Sequence, residues 1–320
     1  MQPPDENDTR PVEARERQTV VTPGNYDGVH LGHRALLRAA REAAGEELAV
    51  VAYTFDPHPT HVIAPDRAPP LLTSLQRRVE LLRAAGAERV VVQKFDRAFQ
   101  ALSPREFVEQ VLVAELNARV MVVGSDFRFG AQRAGDVAML GELGAPHGIV
   151  VKTVPPVTNH GEIVSSSRVR SLLTQGHVED AARLLTRVHD LERRVLHGQK
   201  RGRTIGFPTA NLELSGLLAP ADGVYAVSVR VLDGQPSERL LGVANLGVRP
   251  TVSGGRSMEV HILDFAADLY DRTLRVGFVA RLRGEQKFGS LDDLKAQIAR
   301  DVQAGRDALA QAEPELLAWI

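Results

Sequence analysis

The chain has 320 residues, and its 39 Lys and Arg nearly balance its 40 Asp and Glu, for a formal net charge of −1. This balance gives no overall attraction to nucleic acid or to an acidic membrane surface, so any anion-binding site has to be local. Cysteine is absent, which excludes disulfides, thiolate metal sites and cysteine nucleophiles. No apolar run has the length of a membrane span. These features favour a cytoplasmic protein that is long enough for two domains with separate cores.

Residues 1–17 are polar and contain no apolar segment of the kind found in signal peptides, so they predict a disordered tail. Beyond them, short apolar runs alternate with amphipathic helices. The predicted strands cover residues 19–22, 48–53, 89–93, 119–123 and 148–152. This alternation predicts a doubly wound parallel sheet covered on both faces. In such sheets, ligands bind at the carboxyl ends of the strands.

A helix is predicted after Thr73, where residues 73–76 resemble a capping box. Its apolar period places Leu75, Val79 and Leu82 on one face, before Gly86.

A glycine-rich stretch, residues 24–33 (GNYDGVHLGH), joins the first strand to a helix predicted over 35–45. At helical spacing His30 and His33 share one face near the helix start, where backbone N–H groups and the helix dipole favour anions. Such a pair can donate hydrogen bonds to a phosphate whose charge rises in a transition state. Two alternatives stay open on these residues alone: satisfied core histidines, or half of a metal site.

Three further loops follow predicted strands. The segment 54–59 (TFDPHP) contains Phe55, His58 and Pro59, which can wall a flat ligand, although its prolines can also simply end the strand. The segment 124–130 (GSDFRFG) contains Asp126 and has the composition of a site loop. Serines 165–167 stand at a helix start. They are either plain N-caps or, with Arg170 one turn later, a grip for a triphosphate.

Taken together, these loops resemble the HxGH-type nucleotidylyltransferases, and most closely the adenylyltransferase half of bacterial bifunctional riboflavin kinase/FAD synthetases. Tyr26 stands where that family usually has Phe, and Ser167 replaces a Thr. In the family's reaction a substrate phosphate attacks the α-phosphate of ATP and pyrophosphate leaves. The resemblance implies that Phe55, His58 and Pro59 bind flavin and that His30 and His33 are catalytic. It implies an ATP site formed by Gly24, Asp27, His30, His33, Asp126, Ser166, Ser167 and Arg170.

From about residue 188 strand-like runs follow one another, over 223–231, 240–248, 258–265 and 273–282. Successive antiparallel strands of this kind predict a small closed β-barrel. One long terminal helix follows, beginning near Ser290, with Leu294, Ile298 and Val302 on one face.

The basic segment 198–211 (GQKRGRTIGFPTAN) is not a Walker loop. Taken alone it is either a mobile surface loop or a phosphate site. Thr209 and Asn211 place two oxygen atoms on one side of an extended chain. This suits Mg²⁺ bridging ATP phosphates, with Lys200 on the phosphates themselves.

The second half resembles the flavokinase half of the same family, in GFPTAN (206–211), GVYA (223–226), GVANLGVRPT (242–251) and EVHILDF (259–265). A strand carboxylate is by default a solvated one, but the resemblance implies that Glu259 is the general base for the substrate hydroxyl. It further implies that ATP contacts Lys200, Gly202, Thr209 and Asn211, that Thr209 and Asn211 hold the metal, and that Arg249 contacts flavin. Asp271 departs from the family's DLYG, which leaves the local turn open. The role of Arg283 and its neighbours Glu285, Lys287 and Phe288 also stays open.

The resemblance implies an FMN adenylyltransferase domain over residues 18–187 and a riboflavin kinase domain over 188–320. Riboflavin, FMN and ATP with Mg²⁺ are then the small-molecule partners, and FMN and FAD are substrate and product rather than redox cofactors. No nucleic-acid or membrane partner is expected, and the sequence does not indicate an oligomeric state. Two alternatives remain: an adenylyltransferase for another phosphate substrate with the barrel as a binding module, or a non-enzymatic flavin or nucleotide binder.

Overall fold

The structure, a computed structural model, describes residues 17–197, 206–214, 216–233, 238–248 and 255–320. These residues form two compact units. The first contains the described part of Met1–Pro69 together with Leu75–Ile163, and the second contains Pro70–Ser74 and the described part of Val164–Ile320. Within the described residues, no helix combines the length and the apolar character needed to span a bilayer.

The first unit is built on a five-stranded sheet in the order β3-β2-β1-β4-β5, in which every neighbouring pair is parallel. The strands are β1 (Thr19–Pro23), β2 (Ala49–Asp56), β3 (Arg89–Lys94), β4 (Ala118–Gly124) and β5 (Val150–Val154). The predicted doubly wound sheet is confirmed. The strand order reverses at β1, so the loops after β1 and β4 stand at the switch point where such sheets bind ligands.

Helices cover both faces of this sheet. They are α1 (Leu31–Ala44), α2 (Pro59–Ile63), α3 (Leu75–Ala84), α4 (Arg97–Gln100), α5 (Pro104–Glu106, continued by a π-helix over Phe107–Glu115) and α6 (Val137–Gly144). One core cluster includes Val21 and Met121, and the opposite one includes Val20 and Val122. Because successive residues of a strand point to opposite faces, this alternation shows that both faces are packed. A two-stranded hairpin, β6 (Thr158–Asn159) and β7 (Glu162–Ile163), completes the unit.

The apolar face of α3 is buried only in part. Leu75 and Val79 are only half-buried. The residues that α3 buries are Arg77, Arg78, Leu81 and Leu82. The apolar period gave no indication of this, because the burial of Arg78 depends on a carbonyl group supplied by a distant loop.

The second unit contains a closed barrel in the order β10-β11-β12-β9-β8-β13, with every described pair antiparallel. The strands are β8 (His189–Leu196), β9 (Ala210–Glu213), β10 (Gly223–Val231), β11 (Leu240–Val248), β12 (Arg256–Ile262) and β13 (Thr273–Arg283). The predicted closed antiparallel barrel is confirmed. β8 and β9 were not among the strand ranges named from the sequence. Closure removes exposed strand edges, which is the stable solution for a small sheet.

The described part of this unit contains the helices α7 (Ser166–Gln175), α8 (Val178–Leu185), α9 (Leu291–Gln311) and α10 (Pro314–Leu317). α8 contacts the barrel, where the Arg281 backbone N–H donates to Glu179 Oε1 at 3.0 Å. α9 begins after Ser290, whose Oγ accepts a hydrogen bond from the Asp293 N–H, so the predicted helix start is confirmed. The tail 1–17 lies outside the described residues except for Arg17. The functional boundary at 187/188 stays a prediction.

The turn before β13 contains Asp271 in the left-handed backbone region, with φ +63°. This conformation favours glycine, and Asp adopts it more readily than most residues. The Asp271 carboxylate pairs with Arg194 at 3.2 Å and lies 3.5 Å from His197. The turn is therefore formed despite the departure from a glycine.

Candidate active sites

His30 and His33 lie side by side at the start of α1. His30 is the N-cap residue rather than a helical one, with φ −77° and ψ 176°, and its carbonyl accepts the Arg34 N–H at 3.0 Å. The two imidazole rings are stacked with centroids 3.6 Å apart and planes inclined by 17°. The predicted juxtaposition is therefore present, although an N-cap residue and a helical residue form it.

The loop that carries the pair is tightly constrained. Tyr26, Gly28 and Val29 all have positive φ, at 53°, 86° and 43°. Positive φ is a clear outlier for a β-branched residue such as Val29, and strain of this kind clusters at functional sites. The Tyr26 hydroxyl is buried and donates to the Thr22 carbonyl at 2.8 Å, which gives the extra oxygen a partner. A Cβ atom at Gly24 would lie 3.1 Å from the Tyr26 ring.

His33 is held in its neutral form. Its Nδ1 is buried and has no hydrogen-bond partner in the described part of the chain, and the Tyr26 ring packs edge-on at 5.1 Å. Burial, reinforced by the charges of His30 and Arg78, lowers the pKa of His33 well below its usual value of 6.5. At pH 7 this imidazole therefore offers an anion a hydrogen bond rather than a positive charge.

Arg78 is a buried cation beside this loop that the sequence analysis missed. Only 2% of its surface is exposed, and its Nη1 donates to the Asn25 carbonyl at 2.8 Å. Burial lowers the pKa of the Arg78 guanidinium, and the negative charges of Asp27 and Asp56 oppose that shift. The sequence contains one clue to this buried cation, which is a pair of adjacent arginines in a predicted helix with apolar residues on either side of them.

The predicted flavin residues of the first unit lie after β2. Phe55 belongs to an aromatic cluster, with ring centroids 5.7 Å from Phe95 and 5.9 Å from Phe99. His58 is buried, and its Nδ1 accepts the Thr60 N–H at 3.3 Å, so it caps α2, which begins at Pro59. The capping role is structural, and flavin binding by these residues stays a prediction.

The remaining predicted ATP ligands divide between the two units. Asp126 is exposed in the loop after β4, in the first unit. In the second unit, Ser165 caps α7 by accepting the Arg168 N–H at 3.2 Å, which places Ser166 and Ser167 in the first turn of that helix. Arg170 Nε donates to the Pro70 carbonyl at 2.9 Å. A common ATP site with His30 and His33 stays a prediction.

In the second unit, Glu259 lies in the middle of a polar row that crosses three strands. It pairs with Asn211 on β9 and with Asn245 on β11. Residues paired in register project from the same face of a sheet. Met258 and Val260, which alternate with Glu259, are completely buried. Glu259 therefore points to the outer face of the barrel.

That outer face is covered rather than open to solvent. A cavity of about 390 Å³ lies between the barrel and α9, and its lining includes Thr209, Asn245 and Glu259. On the α9 side, the lining consists of the apolar residues Leu294, Ile298 and Val302 together with Asp301. The helix face predicted from the sequence is thus present. A carboxylate, an amide and a hydroxyl converge on one side of an apolar cavity, which is the usual composition of a small-molecule site.

Arg283 fastens α9 to the barrel at the edge of this cavity. Its Nε lies 3.0 Å from Asp301 Oδ1 and its Nη2 lies 2.8 Å from Asp301 Oδ2, a two-pronged pair with a largely buried carboxylate. Gln297 Nε2 also donates to Asp301 at 2.8 Å, and the Phe288 ring lies 5.8 Å from the guanidinium. The structure thus supplies a positioning role for a residue whose role the sequence analysis left open.

His261 connects the strand of Glu259 to the segment that contains Thr209. Its Nδ1 lies 2.8 Å from the Pro208 carbonyl, and Phe207 packs edge-on against its ring at 5.5 Å. Thr209 lines both the large cavity and a second, smaller one of about 80 Å³ that includes Tyr270.

The oxygen donors here match a hard cation. In the described residues no cluster of three or more His, Asp or Glu gathers as a metal site. Thr209, Asn211 and Glu259 nevertheless supply hydroxyl, amide and carboxylate oxygens, which is the donor type that Mg²⁺ accepts alongside substrate phosphates. Lys200, Gly202 and Arg249 lie outside the described residues, so their assignments stay predictions.

Comparison with known families agrees with the folds of both units. The FAD synthetase family matches residues 12–168, and the riboflavin kinase family matches residues 185–309. The chain belongs to the bifunctional riboflavin kinase/FMN adenylyltransferase family. Both catalytic domains of this family are therefore present, with the kinase domain second.

Members of this family resemble the chain over nearly its whole length. The Escherichia coli K12 bifunctional riboflavin kinase/FMN adenylyltransferase is 42% identical, covering 94% of this chain and 96% of the relative. The Pseudomonas fluorescens protein of the same description is 45% identical, covering 91% and 93%. A solved structure from Streptococcus pneumoniae, described as a macrolide-efflux protein, superposes with a TM-score of 0.82 at 33% identity, covering 91% and 94%.

Proposed function

We propose that this chain catalyses two consecutive ATP-dependent steps, phosphorylation of riboflavin to FMN in the barrel and adenylylation of FMN to FAD by the parallel-sheet domain. The observation that carries the proposal is the position of Glu259. It is paired between Asn211 and Asn245 and lines a partly apolar cavity on an otherwise closed barrel. FMN and FAD act as substrate and product, and the cytoplasmic location stays a prediction.

In the kinase step, Glu259 accepts the proton of the ribityl 5′-hydroxyl as that oxygen attacks the γ-phosphate of ATP. The new O–P bond forms while the bond to the ADP oxygen breaks. The apolar wall of α9, formed by Leu294, Ile298 and Val302, suits the flavin ring. The hydroxyl then meets the polar row on the opposite side of the cavity.

Thr209 and Asn211 would hold Mg²⁺, which, when bound with ATP, shields the charge of the phosphates. The Asn211 side chain stands on the outer face of the barrel, since its neighbours Ala210 and Leu212 are buried, and Thr209 lines the same cavity as Glu259. His261 keeps Thr209 in place through the Pro208 carbonyl. Lys200 and Gly202 on ATP, and Arg249 on flavin, complete the proposed kinase site.

In the adenylyl transfer, a phosphate oxygen of FMN attacks the α-phosphate of ATP, and the bond to pyrophosphate breaks. No covalent enzyme intermediate is needed, so positioning and hydrogen bonding carry the step. His30 and His33 donate to phosphate oxygens, His33 as a neutral imidazole. Other ATP contacts are proposed for Gly24, Asp27, Asp126, Ser166, Ser167 and Arg170, and flavin contacts for Phe55, His58 and Pro59.

The test is a product analysis on the full chain. The protein is incubated with riboflavin, ATP and Mg²⁺, in parallel with FMN, ATP and Mg²⁺, and flavins are separated by chromatography. We expect FMN and then FAD in the first reaction and FAD in the second. An adenylyltransferase for another substrate leaves riboflavin unphosphorylated, and a simple flavin binder yields no product in either reaction.

A further inference from the structure

We propose that Arg78 is a positioning residue for adenylyl transfer, acting through the backbone of the loop that carries His30 and His33. This inference rests on the proposed adenylyl transfer and adds a group from α3 to it. Arg78 lies neither in the glycine-rich loop nor in the adjoining helix α1.

The contact point is the carbonyl oxygen of Asn25. It accepts hydrogen bonds from Arg78 Nη1 at 2.8 Å and from Thr54 Oγ1 at 3.2 Å. Asn25 directly precedes the strained turn of Tyr26 to Val29, so one oxygen ties the loop to both β2 and α3. A backbone held in a costly conformation needs such external contacts to stay there.

The charge of Arg78 is poorly matched to a purely structural role. Asp56 Oδ1 lies 3.9 Å from Nη2, and the Asp56 side chain is half exposed, so this ion pair is long and only partly buried. The Nε of Arg78 is buried and has no hydrogen-bond partner in the described part of the chain. A buried cation with an unsatisfied hydrogen-bond donor lowers the free energy of unfolding, and an apolar side chain at this position would avoid that loss.

The same positive charge benefits a site that handles phosphates. It acts on His33 in the direction that favours the neutral imidazole, together with burial and the neighbouring His30. A fixed cation close to the histidine pair also stabilises negative charge that develops on a phosphate oxygen. The position of Arg78 beside the loop and its positive charge therefore both favour adenylyl transfer.

Arg77 provides a matched control. It lies next to Arg78 on α3, is equally buried at 4% exposure, and pairs with Glu80 on its own helix at 3.1 Å. We compare Arg78→Met, Arg78→Lys and Arg77→Met. Both activities are measured in each preparation, because the riboflavin kinase reaction is an internal control for protein concentration and for folding of the second unit, whereas Arg77→Met controls for changes to α3 in the first unit.

We expect Arg78→Met to lower the kcat of FAD formation from FMN by about 10- to 100-fold, as a displaced loop does, with riboflavin phosphorylation within twofold of wild type. If Arg78→Met lowers this kcat about a hundredfold, the kcat of Arg78→Lys should be at least about tenfold higher than that of Arg78→Met. An ammonium group keeps the charge and a donor for Asn25. In Arg78→Met the acidic limb of the FAD-forming pH profile should move to higher pH, since His33 takes a proton more easily.

Wild-type adenylylation in Arg78→Met overturns the inference. So does an equal loss in Arg78→Met and Arg77→Met, or no recovery by lysine. If the methionine variant fails to fold, the lysine variant decides: it must retain more than a tenth of the wild-type rate. A wild-type chain that forms no FAD from FMN would instead refute the proposed function, so the two failures are distinguishable.

Discussion

Glu259 on β12 lies directly opposite Asn211 on β9 in the antiparallel ladder of the barrel. The pairing places a carboxylate, which lines the cavity beside α9, next to an amide oxygen that we assign to Mg²⁺. A base and a metal ligand that are neighbours across one ladder can act on the hydroxyl and on the phosphates of the same reaction.

Glu259→Gln should abolish the kinase step while leaving the adenylyl step intact. The amide keeps the shape but accepts no proton, and general-base catalysis is worth about 10²- to 10⁴-fold. The measurement is FMN formation from riboflavin, with FAD formation from supplied FMN in the same preparation. Glu213→Gln, an exposed residue on β9, is the control. A Glu259→Gln enzyme with normal kinase activity would remove Glu259 from the mechanism.

His261→Ala should raise the KM for ATP-Mg²⁺ in the kinase reaction by about tenfold, the equivalent of one hydrogen bond of about 1.4 kcal/mol. The variant loses the contact to the Pro208 carbonyl that holds Thr209 in place. In His261→Asn, the amide N–H occupies nearly the position of Nδ1, so we expect a KM within about threefold of wild type. Equal KM values in all three proteins would argue against this positioning role.

Asp301→Asn should destabilise the second unit by about 3 kcal/mol, because removing one partner of a buried pair leaves the Arg283 guanidinium uncompensated. Urea unfolding monitored by tryptophan fluorescence measures this change, since Trp319 is the one tryptophan in the chain. Asp307→Asn changes an exposed residue of the same helix and should shift stability by less than about 0.5 kcal/mol. Equal effects of the two substitutions would show that the Arg283–Asp301 pair does not hold α9.

Asp271→Gly should leave stability unchanged or raise it by up to about 1 kcal/mol, because glycine adopts positive φ without the steric cost of a Cβ atom. The exposed pair with Arg194 that is lost contributes little. Asp268→Gly is the contrasting variant, since Asp268 Oδ1 accepts the Tyr270 N–H at 3.0 Å and its loss should destabilise. A marked loss of unfolding free energy in Asp271→Gly would show that the carboxylate contacts outweigh the backbone strain.

The low pKa of His33 predicts a pH-dependent contribution to stability. Folded His33 stays neutral, whereas the unfolded side chain takes a proton below its ordinary pKa of about 6.5, so stability falls as pH decreases through that value. In His33→Gln this contribution is absent. The unfolding free energy of wild type relative to the variant should therefore fall by about 1 kcal/mol between pH 7 and pH 5.5. A difference that stays constant over this range would mean that folded His33 protonates normally.

Much of the fold could be predicted from local patterns. Apolar runs separated by helices indicated the parallel sheet, and successive strands indicated the barrel, because side-chain periods of 2 and 3.6 residues report directly on which faces are buried. The cavity-facing stripe of α9 follows from the helical period, whereas the outward direction of Glu259 is seen only in the structure. The histidine pair and the proposed oxygen ligands could be named because each stands in a short contiguous motif.

Long-range geometry decided the rest. Asn245 joins Glu259 only through the register of β11 against β12, and no spacing within one strand specifies that register. α3 buries Arg78 rather than Leu75 because a carbonyl 53 residues away accepts its hydrogen bond. The sequence by itself determined most of the segments that form strands and helices and the motifs proposed to carry the chemistry, since those properties depend on near neighbours. Only the tertiary structure decided which charges are buried and which polar groups meet, because the hydrogen-bond partners that stabilise buried polar groups come from distant parts of the chain.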